Sequence, residues 1–183
     1  MSIESSHHRS RYDFVAMSLH WVIAALMIFM LFFGEGLMNR RQPDTFNASV
    51  HASIGAAILL LSLARLFWRL RNPPPPLPAA MKTWEISLSK ATHVVFYVML
   101  IGLPISGWLA FSDTVAKHPA FLGTRFFEVI EVTQFPSAVS YPFDALHSLG
   151  SNFMIGLTAL HVLAALKHQF FDNDGLIRRM MPF

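Results

Sequence analysis

Four stretches of this chain run about 20 residues each without Asp, Glu, Lys or Arg, and they decide what it can fold into. They are Phe14–Gly34, Thr45–Ala64, Ala91–Ser112 and Ala145–Leu166. A helix needs about 20 mostly apolar residues to cross a bilayer. Lipid cannot satisfy backbone N–H and C=O groups, so a span must be a helix or part of a closed barrel. None of the four alternates apolar and polar residues as barrel strands do. The expected fold is therefore all-α: an integral membrane four-helix bundle, one domain over residues 1–183, with helices near 14–34, 45–68, 88–112 and 145–169. Composition agrees, because only 14% of the residues are charged, against about 25% in soluble domains.

Cysteine is absent. That excludes disulfides, iron–sulfur clusters, thiolate zinc sites and covalent c-type haem attachment. The polar start, Met1–Asp13, and the length of the first apolar run do not fit a secretory leader, so the first helix is expected to stay in the mature protein. Lys and Arg are retained on the cytoplasmic side. Arg9, Arg11, Arg65, Arg69, Arg71, Lys82, Lys90, Lys167, Arg178 and Arg179 fall on one side, and Arg40, Arg41, Lys117 and Arg125 on the other. Both termini are expected to be cytoplasmic. The same asymmetry explains the basic pI of about 9.6 without a nucleic-acid partner, and none is expected. Between the second and third helices, Pro73–Pro76 and Pro78 read as a stiff extended spacer. The outer loop Asp113–Asp144 is long, and residues 126–132 within it read as a short amphipathic segment at the interface. No internal repeat supports an inverted-repeat transporter.

Nine histidines in so apolar a chain are the informative feature. His7, His8 and His118 read as solvated surface residues. His20, His51, His93, His147, His161 and His168 lie in or near the spans, where an ionisable residue points to function. His147 and His161 are 14 residues apart, roughly 21 Å along a helix axis, and return to nearly the same face. His51 sits at the depth of His147, and these two are the only outer histidines in the spans. Toward the cytoplasmic side His20, His93, His161 and His168 all remain candidates. Facing imidazoles at two depths suit bis-histidine b-type haems held in a bundle. Zinc or copper would favour a compact cluster with carboxylate or sulfur ligands, and no acid lies within the spans. Ser53, Gly55, Gly150 and Gly156 are small neighbours consistent with room for a flat ring, although small residues also serve helix packing.

Several motifs together give the chain a family resemblance. They are Ser18-Leu19-His20-Trp21, His51-x3-Gly55, Ala64-Arg65-Leu66-x-x-Arg69-Leu70-x-x-Pro73 and His93-x3-Tyr97-x4-Gly102-Leu103-Pro104-Ile105-x-Gly107. Leu146-His147-x2-Gly150, Gly156-Leu157-x2-Leu160-His161 and Arg178-Arg179-Met180-Met181-Pro182 complete the set. In order and spacing, from about Tyr12 onward, the chain resembles the bacterial cytochrome b561 family. These are small four-helix dihaem cytochromes whose members include a superoxide:quinone oxidoreductase. The resemblance implies two haem b groups, with axial ligands His51 with His147 and His20 with His161. It also implies a multi-pass protein of the bacterial inner membrane, in contact with lipid, that exchanges electrons with ubiquinone or another quinone.

Lys90, His93 and His168 gather toward the cytoplasmic side and are candidates for a quinone site, where a titratable donor could supply a proton. Arg65, Arg69 and Arg71 could pair with haem propionates or a quinone; contact with lipid phosphate is the plainer reading for at least two of them. Trp21, Trp68, Trp84 and Trp108 read as belt or packing residues, and Pro104 with Gly107 as a packing feature of the third helix. The outer loops hold Glu35, Asp44, Asp113, Glu128, Glu131 and Asp144 against four basic residues, a balance that does not concentrate an anionic substrate. The leading reading is an oxidoreductase passing electrons from an outer-side donor, superoxide among the candidates, to membrane quinone. The alternative is a haem-bearing subunit relaying electrons for a partner redox protein. A haem-free transporter or anchor is the third reading, and the histidine spacing argues against it.

Overall fold

A computed structural model describes residues 11–39, 41–78 and 81–181, without the side chains of residues 137, 138 and 141. His7, His8, Arg9, Arg40 and Pro182 lie outside the described residues. Four helices, each long and apolar enough to cross a membrane, make up most of the chain: α1 (Phe14–Leu37), α2 (Thr45–Arg71), α3 (Thr83–Lys117) and α4 (Ser137–Lys167).

Each of the first three helices begins where a carboxylate can take up its free N–H groups. Asp13 Oδ1 accepts from Ala16 N–H, and the Asp44 carboxylate accepts from Phe46 and Asn47. Glu85 reaches back to the Lys82 N–H at 3.0 Å, one half of a capping box. α3 runs past Ser112, where its apolar stretch stops, because buried Asp113 pairs with Lys117 one turn further on. α4 likewise starts well before Ala145 and accommodates Pro142 near its beginning. It ends in a single π turn, His168–Asp172, a feature often found at functional sites.

α3 packs most closely on α4, and α1 on α2; α2 joins the halves through α3, while α1 and α4 meet at few points. Ile23, Met27, Ile58, Leu100 and Met154 form a buried layer at mid-height. Large apolar side chains such as Phe32, Leu60, Val98, Leu149 and Leu160 face outward. So much exposed apolar surface would be untenable in water and suits lipid.

The segment 126–132, expected as an amphipathic stretch, is instead part of a hairpin. Strand β1 (Arg125–Phe126) pairs antiparallel with β2 (Ile130–Glu131), Arg125 opposite Glu131 and Phe126 opposite Ile130. Phe127 and Glu128 take left-handed backbone angles, φ 51° and 59°, as a tight hairpin turn requires. Phe126 and Val132, at the two ends of the segment, pack inward with Ala48, Phe111, Val115 and Phe121, while Val129 and Ile130 between them are exposed. The segment is tied to α2 by two serines. Ser49 Oγ accepts from Arg125 N–H at 2.9 Å, and Ser53 Oγ from Phe127 N–H at 2.6 Å. Ser53 therefore docks the hairpin, a role its small size alone did not indicate.

At the end that carries both termini, the tail folds back over the bundle. Tyr12 N–H donates to Arg179 O, Trp21 Nε1 to Met180 O at 2.7 Å, and Arg179 to Pro76 O. Lys167 bridges Glu85 and Asp172, each at 2.7 Å. Trp21 and Trp68 thus act as hydrogen-bond donors within the fold, since Trp68 Nε1 also donates to Asp13 at 3.0 Å.

Candidate functional site

The histidines of the spans fall into two layers separated by the apolar mid-layer. Near the loop end, the rings of His51 on α2 and His147 on α4 face each other, centroids 6.2 Å apart and planes at 62°. Each ring is fixed through Nδ1 to a backbone carbonyl of another helix. His51 Nδ1 lies 3.0 Å from Gly34 O on α1, and His147 Nδ1 lies 2.9 Å from Leu103 O on α3. Ser106 Oγ is also 3.3 Å from His147 Nδ1. Nε2 of both rings has no hydrogen-bond partner among the described residues.

That arrangement leaves Nε2 as the free lone-pair donor on both imidazoles. A ligating histidine is commonly held in this way, its other ring nitrogen donating to a carbonyl. Imidazoles on opposite sides of one metal ion, each about 2 Å from it through nitrogen, hold their ring centres on the order of 6 Å apart. The His51–His147 separation therefore fits a pair that would hold one metal ion between them.

Glycine makes the arrangement possible. A Cβ on Gly107 would sit 2.8 Å from His147 Cε1 and 2.9 Å from Nδ1, so only glycine lets α3 pass this ring. Gly34 is buried, its hypothetical Cβ 3.5 Å from His51 Cε1. Gly55 and Gly156 have no atom within 4 Å of that position, consistent with room beside the helices. Gly150 is different, because a Cβ there would meet Leu103 at 2.9 Å. It serves the close packing of α3 on α4.

In the layer toward the termini, two histidines meet and a third lies near them. The His93 ring on α3 lies 6.2 Å from the His161 ring on α4, planes at 72°, and Phe96 packs edge-on against His161 at 5.1 Å. His20 on α1 is within electrostatic reach of both His161 and His93. Of the three quinone candidates, His93 thus joins the histidine layer and Lys90 is exposed. His168, on the π turn, holds Asp174 Oδ2 at 2.6 Å and Asp172 Oδ2 at 3.0 Å through Nδ1. No hydrogen bond or ion pair joins Lys90 to His168 among the described residues.

The residues that hold the histidines were not legible as site residues. Gly34 and Leu103 contribute only carbonyls, which carry no side-chain signal. Gly107 belonged to a motif, but its contact is with another helix.

Four helices able to span a membrane, with imidazoles gathered at two depths, are the arrangement a membrane b-type cytochrome would need. The sequence profile of the family described as prokaryotic cytochrome b561 matches residues 11–183. The chain belongs to that family. It is 28% identical over 175 residues to cytochrome b561 homolog 2 of Escherichia coli, covering 93% of this chain and 91% of the relative. It is 30% identical over 185 residues to the probable superoxide oxidase CybB of Yersinia pestis, covering 94% and 96%. Cytochrome b562 of Cereibacter sphaeroides is 24% identical over 179 residues, covering 93% and 94%. The protein is thus a multi-pass, b-haem-binding electron-transfer protein of the bacterial inner membrane.

Proposed function

We propose that this protein is a dihaem cytochrome that takes electrons from a donor at the loop end and delivers them to membrane quinone. In this reading both termini are cytoplasmic and the loop end faces outward, as the Lys/Arg asymmetry favours. His51 and His147 hold one haem, and His20 and His161 the other. Bound haem supplies one-electron iron redox chemistry, while the protein sets its ligation, spacing and dielectric. The observation that carries the reading is the His51–His147 pair, with each Nδ1 on a carbonyl and each Nε2 free.

The family resemblance makes His20, not His93, the partner of His161, and the helix packing supports that choice. α3 and α4 are in close contact, whereas α1 and α4 touch little, so a flat macrocycle finds space between α1 and α4. His93 then lines that layer. At the cytoplasmic surface His168 is the proton donor to reduced quinone. Its Nδ1 is held by Asp174 and Asp172, so Nε2 is the nitrogen that would pass a proton to quinone from the doubly protonated ring.

Superoxide is the donor in this proposal, by analogy with the relative named a probable superoxide oxidase. The stoichiometry balances: two superoxide radicals give up one electron each, and one quinone takes two electrons and two protons. The products are two oxygen molecules and one quinol. The outer loops do not gather anions by net charge, although exposed Arg125, on the hairpin docked beside His51, offers a local cation.

The test is turnover by the purified protein alone, with an enzymatic superoxide source and a short-chain ubiquinone, read as quinol formation. Quinol should form and should vanish when superoxide dismutase is added. His168→Gln should slow quinone reduction by tenfold or more while superoxide still reduces the haems, since general acid catalysis contributes about 10²–10⁴. Haems that dithionite reduces, with no quinol formed from superoxide, would contradict the proposal and favour a subunit that relays electrons for a partner.

A further inference from the structure

Beside the inner histidine layer, a small open cleft lies near the termini, lined by Tyr12, Arg65, Trp68, Arg69, Asn72 and Tyr97. The guanidinium carbons of Arg65 and Arg69 lie 5.8 and 5.9 Å from the centre of the Tyr97 ring. Two cations thus flank one phenol. Among the described residues no carboxylate pairs with either arginine. Asp13, close by in the fold, accepts from Ala16 N–H and from Trp68 Nε1 through Oδ1, and among the described residues no ion pair joins it to either arginine. The Tyr97 hydroxyl is buried without a hydrogen-bond partner among the described residues.

These features call for one missing component. Like charges held close together repel, and cations taken out of water are costly without a counter-charge. A buried hydroxyl lacking a partner carries its own desolvation cost. A single oxyanion between the arginines would satisfy both guanidinium forks and the phenol, because planar guanidinium matches carboxylate and phosphate oxygens in pairs. Arg71 differs: it is exposed, with its guanidinium 4.2 Å from the Phe67 ring, and it lies outside the cleft.

We propose that Arg65, Arg69 and Tyr97 form an oxyanion receptor at this end of the bundle. The chemistry is carboxylate or phosphate, and two sources can supply it. Arg65 lies within electrostatic reach of His20 and His161, which favours the propionate carboxylates of a haem held there. That source rests on the dihaem reading above. The other source is the phosphate of an acidic lipid, which does not depend on it.

The experiment compares wild type, Arg65→Gln/Arg69→Gln, Tyr97→Phe and Arg71→Gln in purified form. Resonance Raman reads the propionate-bending bands, and a phosphorus assay counts tightly held phospholipid per chain. With propionates as the ligand, those bands of one haem shift in the double variant and less in Tyr97→Phe, while bound phosphorus and Arg71→Gln stay unchanged. Loss of about one phosphorus per chain in the double variant, with the bands unmoved, assigns the receptor to lipid phosphate. If the double variant does not fold, Arg65→Lys/Arg69→Lys keeps both charges, loses the paired hydrogen bonds, and should still shift the same signal. No change in either signal in a folded double variant would overturn the receptor, as would an equal change in Arg71→Gln. A protein without haem would defeat the dihaem reading, and the phosphorus count alone would then decide this one.

Discussion

Replacing His147 by alanine should remove one of two haems, leaving one haem per chain and an otherwise ordinary low-spin spectrum. In the proposed reading the substitution takes away half of the histidine pair that would hold the iron at the loop end. It also frees Leu103 O and Ser106 Oγ from the ring they position. His51→Ala should give the same count, because its ring faces that of His147 at 6.2 Å. The layer around His20, His93 and His161 lies beyond the Ile23–Met27–Ile58–Leu100–Met154 layer, so its haem should be kept. Electron transfer from the outer donor should be lost in both variants, while dithionite still reduces the remaining haem. His118→Ala is the control. His118 packs on Phe121 in the outer loop, ring centres 6.2 Å apart, and both haems should remain. Pyridine haemochrome counts on the three purified variants decide the matter. Two haems in His147→Ala would remove this residue from the ligand set.

The second large effect comes from a residue with no polar chemistry at all. Gly107→Val should disturb the same haem as His147→Ala, although the ligand itself is intact. A Cβ placed 2.8 Å from His147 Cε1 is nearer than non-bonded carbons approach. Either α3 backs away from α4 or the imidazole turns, and turning it breaks the 2.9 Å contact of Nδ1 with Leu103 O. Second-sphere partners of a metal ligand are typically worth 10–100-fold in affinity or activity. The expected signature is loss of one haem, or conversion of one haem from low-spin to high-spin. Gly107→Ala should do the same more weakly. Gly102→Ala, one turn and a little more earlier on α3, has nothing within 4 Å of its Cβ and should leave the spectrum unchanged. Equal spectra for Gly102→Ala and Gly107→Val would show that the close approach to His147 does not matter.

The bundle was legible in the sequence because lipid imposes a strict demand. Every span must satisfy its own backbone, and the demand shows as four uncharged runs. The depths of the histidines followed from helical rise alone, and His51 does face His147. The helix ends were less legible. Asp113 stops the apolar run but not α3, since a carboxylate pairing with Lys117 one turn on extends a helix instead of ending it. The 126–132 segment reads as amphipathic because Glu128 and Glu131 sit among apolar residues, but Phe127 and Glu128 take the left-handed angles of a hairpin turn, and Phe126 and Val132 at its ends pack inward.

Two further features of the site depend on tertiary contact. Counting residues gives depth but not the rotation of each helix, so it left four histidines open at the inner end. The structure gathers His93 beside His161, with His20 in electrostatic reach. The carbonyl anchors and the Gly107 clearance arise where helices cross, and no local pattern encodes them. Similarly, Arg65, Arg69 and Arg71 look alike in the sequence as a basic helix end. Only the fold turns the first two toward Tyr97 and leaves the third outside.

Everything proposed for this bundle requires two haems at the two histidine layers. The most direct measurement is the absorbance spectrum of detergent-purified protein, oxidised and dithionite-reduced, with haem counted against protein. The account predicts two b haems per chain, low-spin in both states. Protein made with ample haem supply that purifies with none, or with one haem that His147→Ala leaves in place, would contradict it.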